Sequence, residues 1–210
     1  MKKAVILVAW VIVMGFLIKL IVNPIGEDSK ETVQTKEINY RIVEKEDLSF
    51  SNVKRFVWSV VVDEEVSVKD LELISKEVIE VAKKEVDFNA IAIHFYDYEE
   101  YVGKGYTLGQ AEYAPDGDWS MADSVSVGNY KKMDYKFEFR EKDWSIQLNQ
   151  GEVDVYSAWQ ELYMKTAEEA DLPNEDEVTE EVAEKFDIAS EEVEAIVSKQ
   201  STWMFSEENK

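Results

Sequence analysis

The spacing of apolar residues changes several times along this 210-residue chain, and each change predicts an element. Residues 4–22 form a nearly unbroken apolar run behind Lys2 and Lys3. As a helix this run would cover about 28 Å, close to the hydrocarbon thickness of a bilayer. Lys19 is its one charge, and it lies near the end, where a long stem carries the ammonium to the headgroups. The polar stretch 23–37, with Pro24 and Gly26 at its start, reads as a stalk.

Beyond the stalk the period is two. Ile38, Tyr40 and Ile42 alternate with polar neighbours and predict a half-buried strand, interrupted by polar 44–47. In 53–62, Phe56, Trp58, Val60 and Val62 take one face and Val57, Ser59 and Val61 the other. Apolar residues on both faces predict an interior strand. Ser67 stands where a helix N-cap is wanted, with Asp70 in the first turn, and Leu71, Ile74, Val78, Val81, Ala82 and Val86 follow at helical spacing. A second strong strand covers 88–97, with Ile91, Ile93 and Phe95 on one side and Ala90, Ala92, His94 and Tyr96 on the other. Strand, helix, strand predicts a parallel pair with a right-handed crossover.

Gly103 and Gly105 mark a turn into a weaker strand over 106–114 that returns antiparallel, and Pro115, Asp116, Gly117 and Asp118 spell another turn. Tyr135, Phe137 and Phe139 alternate with Lys136, Glu138 and Arg140 in a last strand, with Trp144, Ile146 and Leu148 as a short continuation. From Glu152 the period turns helical. Val153, Tyr156, Trp159, Tyr163 and Ala167 share a stripe, and Pro173 breaks it. Two short helices follow, one on Val178, Val182 and Phe186, the other N-capped by Ser190 and carrying Val193, Ile196 and Val197 ahead of an aromatic end at Trp203 and Phe205. The pattern is α+β: a transmembrane anchor (1–22), a stalk (23–37), a mixed sheet with one crossover helix (38–150) and a helical extension (151–210), with no internal repeat.

Charge adds a location. Lys2, Lys3 and Lys19 are the only charges before residue 27, whereas the remainder holds 20 basic and 45 acidic residues, a net of −25. Lys2 and Lys3 stay in the cytoplasm by the positive-inside bias, which predicts a single-pass protein of the cell membrane with its C-terminal domain outside the cytoplasm. A signal peptide with its apolar region at 4–18 is the competing reading and would give a cleaved, secreted acidic protein. Residues 20–26 offer no pair of small residues for cleavage, which favours the uncleaved anchor. The chain has no cysteine, so it carries neither a lipoprotein-type anchor nor a disulfide. Hydrophobic content of 45 % with only three prolines and eight glycines indicates a folded body. Its net charge argues against a phosphate backbone, so nucleic acid is excluded as a partner.

Two stretches resemble known families. Residues 179–197 (TEEVAEKFDIASEEVEAIV) resemble the small helix-turn-helix units of bacterial regulators. DNA docking requires basic residues, yet 179–200 holds two lysines and seven acids, so the expectation is a helical hairpin that packs or binds protein. Residues 51–63 (SNVKRFVWSVVVD) and 106–120 (YTLGQAEYAPDGDWS) resemble an uncharacterised family of small exported or membrane-tethered proteins of Gram-positive bacteria with a domain of unknown function. That resemblance implies an α+β domain and carries over no functional residue.

Candidate chemistry is sparse. His94 is the only histidine, and Asp97, Glu99 or Tyr96 are its candidate partners as a catalytic group. No serine stands in a G-x-S-x-G or S-x-x-K setting, so a strand histidine bonded within the fold is the favoured reading. Asp116, Asp118 and Asp123 offer oxygen ligands, but their spacing lacks the glycine and closing glutamate of a calcium loop, and a solvated turn explains them better. One histidine without cysteine argues against zinc. The aromatic residues Tyr96, Tyr98, Tyr101, Tyr106, Tyr113 and Trp119 crowd around one hairpin; core packing is the favoured explanation, and a surface that grips a glycan or peptide is the alternative. The expected function is a membrane-tethered extracytoplasmic interaction module, without catalysis or cofactor. Its expected partners are the membrane, through the N-terminal helix, and another protein or a cell-wall component. A cell-surface hydrolase built on His94 and nearby carboxylates is the rival.

Overall fold

The computed structural model describes residues 38–169 and 173–205. The expected anchor and stalk lie outside the described residues, and no helix among those described is long and apolar enough to cross a membrane. Five strands form one sheet in the order β1 (Tyr40–Asp47), β2 (Arg55–Val62), β3 (Ala90–Tyr96), β4 (Gly109–Pro115) and β5 (Met133–Phe139). β2 and β3 are parallel, joined through α1 (Val68–Glu85), and every other neighbouring pair is antiparallel. Helices α2 (Gln150–Glu169), α3 (Glu175–Phe186) and α4 (Ser190–Phe205) follow. The protein is therefore α+β, with a mixed five-stranded sheet and C-terminal helices.

The alternation of side chains explains the layers. Trp58, Val60 and Val62 of β2 and Ile91, Ile93 and Phe95 of β3 share the main core with Leu71, Ile74, Val78, Ile79 and Ala82 of α1. Burying each of the larger ones contributes about 1.5–3 kcal/mol. On the opposite face Val61 and Tyr96 meet Val153, Val182, Val193 and Ile196 of the C-terminal helices. Ala90, Ala114, Ala122 and Trp119 close the other end of that face. Helix α1 starts where its cap predicts: the Ser67 hydroxyl accepts from Asp70 N, and the Asp70 carboxylate accepts from Ser67 N.

Three local expectations are corrected. β1 does not stop before residue 44 but runs to Asp47, with a register irregularity between Ile42 and Glu44. An edge strand needs a backbone partner on one side only, so its polar half stays in water, and the irregularity turns Lys45 over the Trp58 ring, 4.1 Å from its centroid. Trp144–Ile146 is a 3-10 turn rather than a strand, with the Asp143 carboxylate accepting from Ser145 N. Ser190 is the first residue of α4, not its cap. The first turn closes on the Ala189 carbonyl, which accepts from Glu192 and Val193, and Trp203 and Phe205 belong to the helix.

Candidate functional site

Because β2 and β3 run parallel, the chain leaves both at the same end, delivering Asp63, Glu64 and Glu65 from one strand and Asp97, Glu99 and Glu100 from the other. The carboxyl end of parallel strands is where open sheets commonly form ligand crevices. A cleft of about 450 Å³ lies there, walled by these six acids, Arg41, Tyr98, Trp144, Gln147 and Gln150. Arg41 comes from β1, Trp144 and Gln147 come from the segment leading into α2, and Gln150 is the first residue of that helix.

Two of the acids neutralise the arginine. Its Nε and Nη2 donate to the two oxygens of Asp63 at 3.2 Å, and its Nη1 donates to Glu99 Oε2 at 2.8 Å. These bonds, to Asp63 first and then Glu99, push its pKa up further. Glu64 accepts from Asn39 N at 2.9 Å, and Glu100 accepts from Gln150 Nε2 at 2.8 Å. Asp97 forms the inner wall, only 5 % exposed. Thr107 Oγ1 donates to its Oδ1 at 2.6 Å, and Gln147 Nε2 donates to its Oδ2 at 2.9 Å. Burial raises its pKa, and these two donors offset part of that rise. The carboxyl thus ties the end of β3 to the segments before β4 and before α2, while Tyr98 OH fastens the same segment by donating to Leu148 O at 2.7 Å. With both oxygens of Asp97 engaged, the arrangement holds a shape and a negative field rather than a poised acid or nucleophile.

The sequence candidates are dispersed. His94 lies half-buried on the sheet face away from α1, bonded to Gln110 and 5.2 Å from the Tyr106 ring centre. Burial lowers its pKa, partly offset by Gln110 and Glu46. The His94–Asp97 pairing is not formed: the two stand three residues apart, on opposite faces of the strand direction, and Asp97 bonds Thr107 and Gln147 instead. Tyr96 is buried, bonded to Ser59 and the Gly103 backbone. Tyr113 packs on the α1 face with Phe88, Tyr130 and Tyr135, and Lys83 lies over its ring. Trp119 sits at the far end of the sheet, 5.8 Å from the Arg55 guanidinium. The aromatic residues therefore share no single surface. Asp116 is exposed with φ +53°, and Asp118 accepts from the hydroxyl and N–H of Ser120, which lowers its pKa. Among the described residues no group of three or more His, Cys, Asp or Glu is arranged to hold a metal.

Sequence reasoning missed Arg41, Trp144, Gln147 and Gln150, which reach the cleft from segments far apart in the chain. The available signal was the predicted parallel pair, whose ends mark the crevice before any lining residue is known. A family model described as Domain of unknown function (DUF4875) matches residues 35–196. No curated protein and no solved structure matches the chain.

Proposed function

The chain belongs to the DUF4875 family, and we propose that it is a membrane-tethered extracytoplasmic binding module that captures a positively charged segment of another protein or of a cell-wall component. The apolar run 4–22 supplies the anchor, and the family match begins beyond it. The resemblance to small exported proteins of Gram-positive bacteria supports the same side of the membrane, and the acidic hairpin of α3 and α4, packed on α2, is protein-facing rather than DNA-facing. One observation carries the reading: six acids wall a cleft in which Arg41, the one cation among the described lining residues, is already held by Asp63 and Glu99. Walls of one sign focus the field and concentrate cations in the crevice.

The test is calorimetric titration of the full chain in nanodiscs with a lysine-rich decapeptide and a glutamate-rich one of equal length. The reading expects binding of the first only, weakened about fivefold by Glu65→Gln with Glu100→Gln, in line with the loss of two exposed ion pairs. Equal binding of both peptides, or binding indifferent to the two substitutions, refutes it.

A further inference from the structure

β4 occupies one edge of β5, and no strand among the described residues occupies the other. Two hydrogen bonds fix which backbone groups the open edge presents. Asp116 N donates to Lys132 O at 2.8 Å, one step beyond the paired Pro115 and Met133, so the even-numbered residues of β5 turn their N–H and C=O towards β4. Tyr135, Phe137 and Phe139 therefore turn theirs outward. Tyr135 N–H agrees with this phase, since its acceptor is the neighbouring Asp134 carboxylate at 2.8 Å rather than β4.

The side chains have a symmetry of their own. Asp134, Lys136, Glu138 and Arg140 are exposed on one face, with signs that invert about Phe137. On the other face half-buried Tyr135, Phe137 and Phe139 stack along the edge with ring centres 5.5 and 5.8 Å apart. We propose that this edge is a self-association surface on which two copies pair β5 antiparallel about a two-fold axis at Phe137, joining their sheets into one. In that register Asp134 faces Arg140 of the partner subunit, Lys136 faces Glu138 of the partner subunit, and aromatic side chains face aromatic side chains. Such opposed pairs are the unit of sheet stabilisation, and a two-fold makes each contact occur twice.

Backbone phase restricts the pairing to registers in which odd residues of β5 face odd residues, and the register centred on Phe137 is one of them. With the axis at Phe137, the outward groups of Tyr135, Phe137 and Phe139 meet their counterparts and add about six hydrogen bonds. An axis at Lys136 would keep the outward groups in step but would oppose lysine to lysine and Asp134 to glutamate, so charge chooses Phe137 between the two, and an axis between residues would put the outward groups out of step. In the single chain, Lys136 bonds Glu138 at 2.6 Å and Asp134 holds the Tyr135 N–H. Pairing exchanges both local bonds for ones across the two-fold. Edges meant to stay single are commonly guarded by unmatched charge; this one carries charges that match themselves.

The test uses the detergent-solubilised full chain and light scattering with the micelle mass subtracted. The wild-type chain is expected to be dimeric, and Lys136→Glu or Glu138→Lys alone is expected to weaken dimerisation about tenfold or more by opposing like charges twice. Mixing the two variants, each with its own affinity tag, opposes unlike charges again and is expected to yield a heterodimer recovered through both tags. The exposed pair Asp134→Lys and Arg140→Glu repeats the test at the outer positions. A monomeric wild type, single variants that dimerise like the wild type, or a mixture that gives no heterodimer each overturns the proposal.

Discussion

Burial holds the Asp97 carboxyl above the ordinary range although Thr107 and Gln147 donate to both of its oxygens. The folded chain therefore keeps this proton more readily than the unfolded chain. The group's contribution to stability is greatest below the ordinary carboxylate pKa and is lost as pH rises through the raised, folded value. Asp97→Asn removes that titration. Urea unfolding of wild type and variant across pH is expected to show wild-type stability, relative to the variant, falling from about pH 4 upward; a constant difference would contradict the assignment. At this scale the sequence was half legible. It singled out both His94 and Asp97, and the alternation along a strand already sends residues three apart to different sides. The demand for glycine at 109 was not visible. Its φ of +116° follows from an irregular entry into β4, where Thr107 and Leu108 N–H both reach Phe95 O, and a Cβ there would lie 2.3 Å from Glu138 O.

Among the elements, α1 was the most legible, because its cap and its stripe speak for the same helix. Both halves of the capping box are made between Ser67 and Asp70, so Ser67→Ala is expected to destabilise the protein by about 1 kcal/mol, measured by denaturant unfolding. A neutral result would show that helix packing alone sets the start. β2 and β3 were legible because apolar residues line both of their faces. The second half of β1 was not, since an edge strand is held by its backbone while Glu44 and Glu46 stay exposed. The segment at 144–146 misled for a different reason. A tight turn lays Trp144 and Ile146 against the main core as a strand would, and from it Trp144 Nε1 donates to Val66 O, in the segment before α1, at 3.3 Å.

At the scale of the whole molecule, the sheet, its crossover helix and the helical extension were readable from periodicity. The cleft was not, because it joins Arg41, the ends of β2 and β3 and the segment before α2, which local patterns cannot bring together. The self-complementary edge was readable as letters, but its meaning needed the backbone phase that the β4–β5 ladder supplies. The proposed capture of an outside partner requires that residues 4–22 hold the acidic body outside the membrane. The chain contains no cysteine, so one introduced thiol reports on one site. Ser126 is exposed in the loop before β5. Intact cells carrying Ser126→Cys, treated with a membrane-impermeant maleimide, are expected to yield labelled protein in the membrane fraction, whereas labelling that occurs only after lysis would contradict the account.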